Sequence, residues 1–442
     1  MSRQRKNAVF PLFPVIALLS APVVLSACGD DDSESGAPAG GTSAAGTRAA
    51  GGSAMAASGS GGRMPGHAGS SGAPPVEGGA AGEGAELAGG AGGMAGGAGG
   101  VAGSAEAGAG GAGEAGAGGE SARCAPGYID VGGVCESACA PRDLDGASVV
   151  LERGHTDLIG AAYENAQLQL FVSDDSSPIR REPTLHRVPD SVLIHGKPSA
   201  QLEVPDIPAL TGLLEPGTTV WLFPEGQPEA EEKDLVWPGF QAYGVAADVF
   251  QGDKVVVRLL EHEGSGRFVG FGTVQDEFTP PEVFFDPSAD VDEHDLNAGT
   301  HRHMAWTFTE SGLHRLRFEL EGTLSGGGSV KSSPHTYRFF LGELSELPET
   351  EPTVLVAQPG EPSYALGADL SVTAARYGMS SSLPLAWARQ CYVNDNEPGA
   401  WEPLGTSETL TTKAVVGCQY VACLMDGSRV AAISQPVAPS VQ

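Results

Sequence analysis

The chain has 442 residues with 55 acidic against 25 basic side chains, a formal net charge of -30. A surface this negative repels phosphate backbones and anionic headgroups, which excludes nucleic-acid binding as an expected role. Seven cysteines, 64 glycines and 32 prolines point away from a reduced helical protein and towards an exported one rich in turns and loops.

The N-terminus reads as an export signal. Arg3, Arg5 and Lys6 precede an apolar run from Ala8 to Ala27, the charged and apolar regions of a secretory leader. The run closes on Leu25-Ser26-Ala27-Cys28, which resembles the lipobox of bacterial lipoproteins. That resemblance implies a leader over 1–27, cleavage before Cys28 and lipidation of its thiol. No later apolar stretch is long enough to span a bilayer, so the lipid is the expected membrane attachment. Gly29 and three following aspartates fit display at the outer membrane or cell surface.

Residues 28–123 comprise Cys28 and a linker that from about Gly36 to Ala122 is almost entirely Gly, Ala and Ser. It lacks the strict triplet of collagen and too few of its residues are apolar to offset backbone entropy, so a disordered tether is expected. Its root-mean-square span would be roughly 50 Å. A neck over 124–141 carries Cys124, Cys135 and Cys139. It is similar to a fragment of an EGF-like module, too short to own a core and dependent on disulfides.

From 142 to 344 the pattern becomes short runs rich in β-branched and aromatic residues, bounded by Gly, Pro, Asp and Asn. Strands are predicted at Ser148–Glu152, Gln167–Val172, Val192–Ile194, Thr218–Phe223 and Lys254–Leu260. More follow at Arg267–Val274, Glu282–Phe285, His301–Thr309, Leu313–Leu320 and Thr336–Leu341. The expected fold class is all-β, here a sandwich. Gly264 to Gly270 reads as a hairpin turn rather than a phosphate loop, since no Lys-Ser/Thr follows. Asp290 to Asp295 reads as a solvated acidic loop.

A second β unit covers 352–442. Leu383, Leu385, Trp387 and Cys391 share a strand parity, as do Val416, Cys418, Tyr420 and Ala422. Antiparallel pairing of these strands would set Cys391 opposite Cys418 and favour a bridge there. Cys423 is expected on the outer face, where a bridge to the neck would satisfy it. The unit resembles a small immunoglobulin-like domain with Trp387 as its core tryptophan, although Val372 stands where that family has a cysteine.

Two clusters carry the candidate chemistry: Gly154-His155-Thr156-Asp157-Leu158 and Gly299-Thr300-His301-Arg302-His303-Met304-Ala305-Trp306-Thr307-Phe308-Thr309. In a strand, His301 and His303 point to one face about 6.5–7 Å apart. Such a pair can share a zinc ion with a third ligand from elsewhere, and His155 and Asp157 supply one if the strands converge. The structural reading, in which these histidines bond backbone or carboxylate, stays open. Trp221, Trp237, Trp306 and Phe308 read as core.

Together with Trp221-Leu222-Phe223-Pro224 and Leu235-Val236-Trp237-Pro238-Gly239, these clusters resemble the choice-of-anchor M domain of bacterial surface proteins. Ala305 and His314 depart from that family's common Asn and Tyr. The resemblance implies a surface-displayed domain with no firmly attached enzymatic activity, akin to proteins encoded near divalent-metal transporters. No Gly-x-Ser-x-Gly elbow, His-Glu-x-x-His helix or Walker loop is present. The sequence therefore favours a non-enzymatic, lipid-anchored binding protein that coordinates zinc or another divalent metal through His301, His303, His155 and Asp157. The competing readings are an adhesive or architectural protein that contacts a surface protein or glycan, and a metal-dependent hydrolase.

Overall fold

The computed structural model describes residue 124 and residues 127–442, apart from 132–133, 144, 180–183 and 395–396. Cys28, the expected leader and the expected tether lie outside the described residues. The described residues form one compact unit, built mainly of strands with a single six-residue α-helix, Gln227–Glu232, among them. No described helix is long and apolar enough to cross a membrane.

In the neck, Tyr128–Val131 pairs with Val134–Ser137 as a hairpin, stapled by a Cys124–Cys135 disulfide. The first sandwich then stacks three sheets' worth of strands around one core. One five-stranded sheet runs His301–His303, Val236–Gly244, Gly154–Glu164, Gln167–Asp175 and Leu185–Arg187. Another runs Val283–Phe285, Phe268–Phe271, Ala305–Phe308, Thr219–Phe223 and Gln201–Glu203. Phe268, Trp306, Phe308, Phe318 and Phe339 fill the space between layers, with rings 5.0–6.0 Å apart and mostly tilted or edge-on. Trp221 joins them in the core, as its sequence context suggests.

The third sheet is the unexpected one. It has twelve strands and passes without a break from the first sandwich into the second. The crossing point is the parallel pairing of Ser148–Leu151 with Arg429–Ile433, in register Ala432 to Ser148 and Ile433 to Val149. The division near 344–352 thus separates two cores but not two sheets. In the second part, Val354–Pro359, Asp369–Tyr377 and Thr409–Lys413 form one sheet, facing Leu385–Asn394, Cys418–Asp426 and Arg429–Ile433. This is the strand order of an immunoglobulin-type sandwich. Trp387, Val372, Tyr420 and Ala422 meet in its core.

Several expectations need correction. His301–Thr309 is two strands in two different sheets, divided at the fully buried Met304. Glu293–Asn297 is a strand paired with Lys254–Arg258 rather than a solvated loop. Val416 is exposed, not part of the inward face. Cys423 does not face outward: it is fully buried in the core of the first sandwich and bonds Cys139 of the neck. Cys391 and Cys418 are opposite one another and bonded. Three disulfides are the chemistry of an oxidising compartment.

His314 lies in this core with no exposed surface. Its Nε2 bonds the Glu310 carbonyl at 3.0 Å and its Nδ1 sits 3.1 Å from His262 Nε2. Burial holds its pKa down to about 4 and also lowers that of His262. The unfolded chain takes up a proton near pH 6.5 that the folded chain refuses until about 4. Stability should therefore fall by about 2–3 kcal/mol as pH drops through that window. Urea titrations of a His314→Gln variant from pH 7 to 4 should show that portion of the drop gone.

Candidate metal centre

The site grows from three neighbouring strands of the first five-stranded sheet. Val236–Gly244 lies in the middle, parallel to Gly154–Glu164 on one side and antiparallel to His301–His303 on the other. Register places Gly239 between Asp157 and His303, Trp237 beside His155, and Gln241 beside His301. Alternation then sends His155, Asp157, His301 and His303 to a common face. The two sequence clusters, some 145 positions apart, do converge.

One donor atom from each of these four residues lies within 4.8 Å of all the others. His155 Nε2 is 3.3 Å from His301 Nε2, and Asp157 Oδ1 is 2.8 Å from His301 Nε2 and 3.6 Å from His155 Nε2. Donors on a tetrahedral ion with bonds of about 2.0–2.1 Å sit about 3.3 Å apart, so these separations fit a shared ion. The group could hold a metal ion. Asp157 is buried and the three imidazoles are half-buried.

Neighbours fix the donor set. His303 Nδ1–H donates to the Pro238 carbonyl at 2.9 Å, which leaves Nε2 as the lone-pair nitrogen. That Nε2 is buried with no hydrogen-bond partner, an arrangement that costs free energy unless a cation or water meets it. Burial, with smaller contributions from His301 and His155, depresses the His303 pKa to about 4, so the ring is neutral and competent to ligate near pH 7. The Trp237 indole stacks flat on His303 at 3.9 Å and is itself held by Nε1–H donation to the Glu225 carbonyl at 2.6 Å. Asp175 Oδ2 lies 3.5 Å from His155 Nδ1, as carboxylates behind ligating histidines do.

Gly239 makes the hollow. A β-carbon there would overlap Asp157 Oδ1 and press on the His303 ring at 3.0 Å. Glycine within a strand often marks such a close approach. Pro238, beside it, has no N–H for the ladder, and its carbonyl is spent on His303.

Sequence reasoning identified the four donors but missed what surrounds them. Trp237 is not simply core: it is the stacking wall of the site. Gly239, Pro238 and Asp175 went unassigned, and Trp237-Pro238-Gly239 inside a strand was the available signal. The other described histidines are packed or paired outside the cluster. His195 bonds Glu152 and the Gly342 carbonyl, His294 lies among Phe240, Phe284 and Phe285, and His335 and His186 face Asp190 and Asp143. His67 lies outside the described residues.

No family model matches this chain, and no curated protein sequence matches it. Solved structures with some likeness include murine CEACAM1b, 11% identical with a TM-score of 0.14 over 43% of this chain and 94% of that one. The amphioxus IgVJ-C2 molecule is 10% identical with a TM-score of 0.14 over 43% and 98%. The D0-D1 domain of Intimin is 9% identical with a TM-score of 0.14 over 43% and 82%. At those scores the likeness carries no argument about fold or chemistry.

Gly239→Ala should lower metal affinity at least tenfold by displacing Asp157 and His303, with a stability cost of about 1–3 kcal/mol from overpacking. Isothermal titration with zinc, beside a urea melt of the metal-free chain, separates the two effects.

Proposed function

We propose that this chain is an exported, surface-displayed binding protein whose first sandwich holds one divalent cation, with zinc the best match. The observation that carries the reading is the convergence of His155, Asp157, His301 and His303 on a hollow kept open by Gly239. Three imidazoles and one carboxylate suit zinc better than calcium or magnesium, which prefer oxygen. Four protein donors complete a tetrahedral shell and leave no position for a metal-bound water, which favours binding over hydrolysis. Export is supported by three disulfides and by the leader-like N-terminus. Attachment through Cys28, display at the outer membrane and kinship with choice-of-anchor M proteins belong to the same proposal. Two of the four segments that carry that kinship are those that supply the donors. A divalent-metal transporter is the partner class it favours.

The test is metal content. The purified full chain should carry about one zinc per molecule, and a His301→Ala/His303→Ala variant should carry none. Saturating zinc should raise the melting temperature of the stripped parent by at least about 4 °C, corresponding to ~2.7 kcal/mol at a hundredfold excess over Kd, and leave the variant unmoved. A parent that binds no zinc and melts at one temperature with zinc or chelator overturns the reading, and the histidines are then structural.

A further inference from the structure

A cavity of about 490 Å³ opens where the two sandwiches meet, and His155 and Trp237 form part of its wall. That size is ordinary for a small-molecule site. Pro178, Pro359, Pro362, Pro436 and Pro439 supply much of the lining. Proline has one backbone dihedral fixed and loses little freedom on binding, so this wall is shaped in advance of any ligand. The wall is also held across the junction. Gln435, just ahead of Pro436, accepts from the Glu152 amide at 3.1 Å and donates to the Arg153 carbonyl at 2.7 Å.

The charges in the lining are arranged in an unusual way. Arg153 is half-buried in the wall; its guanidinium makes no ion pair or hydrogen bond at contact distance among the described residues, and its charge is felt only as a minor, longer-range pull on Glu152, whose carboxylate is bonded to His195. Elsewhere in the same sandwich Arg187, Arg258, Arg267, Arg302 and Arg338 all pair with carboxylates. In a chain with more than twice as many acids as bases, a guanidinium left facing a cavity is a receptor for an anionic group, best a planar carboxylate. Two carboxylates line the same cavity. Asp234 is committed to Lys197, whereas exposed Glu231 has only the neutral Gln227 amide, at 2.8 Å.

We infer that this cavity binds a small zwitterion, an apolar amino acid or dipeptide, with its carboxylate on Arg153, its ammonium towards Glu231 and its side chains against the proline wall. Charge recognition stands on the cavity's own residues. One further element rests on the metal reading above: an ion on His155 pins that imidazole and, through His303, the stacked Trp237, so the metal fixes one wall of the cavity.

The experiment is calorimetric titration of the full chain with the dipeptide Leu-Leu, zinc content being measured on every sample. Acetyl-Leu-Leu and Leu-Leu amide serve as ligands that each lack one charge. The expected result is binding of Leu-Leu, at least tenfold weaker for both capped ligands. Arg153→Gln should weaken Leu-Leu at least tenfold, Arg153→Lys should restore part of it, and zinc content should stay unchanged in both. Glu231→Gln should reduce the preference for Leu-Leu over its acetylated form. Stripping zinc should weaken Leu-Leu several-fold in the parent. No heat with any of the three ligands, or equal binding by parent and Arg153→Gln, overturns the proposal. A parent without zinc overturns the metal reading and the pinned wall with it. In that case Arg153-dependent binding by the same sample still upholds the zwitterion site, so the two failures read differently.

Discussion

The strand Cys418–Asp426 is buried along seven consecutive residues, and much of the fold depends on that. Cys418, Tyr420, Ala422 and Leu424 face the core of the second sandwich, while Val421 and Cys423 face that of the first. A strand buried on both sides is apolar at both parities, as this one is along those seven residues except for Gln419, whose amide is bonded to Gln390 and Ser177. Through Arg429–Ile433 it joins the sheet of Ser148–Leu151. Two residues beyond that pairing, Gln435 holds the backbone at Glu152 and Arg153. From Arg153 the chain passes directly into the strand that bears His155 and Asp157. The candidate metal centre is therefore positioned by the second sandwich as well as by its own sheet.

Sequence reasoning recovered the all-β class, most strand positions and the shared face of His155, Asp157, His301 and His303, because those rest on local alternation. It was weakest where tertiary contacts override local pattern. Gly154–Glu164 and Val236–Gly244 were not delimited as strands, yet they form the centre of the site sheet. The first contains Gly160-Ala161-Ala162, small because Phe171 packs across Gly160; the second opens with Trp237-Pro238-Gly239, residues that normally end a strand. In both cases the weak strand signal arises from close approaches, at Gly160 to Phe171 and at Gly239 to the cluster itself. Cys423 was placed on an outer face because alternation says which residues share a side, not what covers each side. The break at Met304, where the chain passes from one sheet to another, has no local signature either.

Stability and chemistry pull against each other at the cluster. His155 and His301 set two ring nitrogens 3.3 Å apart beside a buried carboxylate, and His303 keeps a buried nitrogen without a partner. A core built for stability alone would replace such groups with apolar side chains. The polar set is kept in register by the missing side chain at Gly239, the carbonyl of Pro238 and the indole of Trp237. Pre-organisation of that kind is what a high-affinity site requires.

The bond between Cys139 and Cys423 has a mechanical consequence. If the chain is pulled between its N-terminal side and its C-terminus, load enters at the neck, crosses one covalent bond and leaves through the last strands. Everything between those two cysteines, including the cluster and most of both sandwiches, is a closed loop outside the load path. Under tension from these two ends His155, Asp157, His301 and His303 stay off the covalent load path, whereas Gln435, Pro436 and Pro439, which follow Cys423, remain on it.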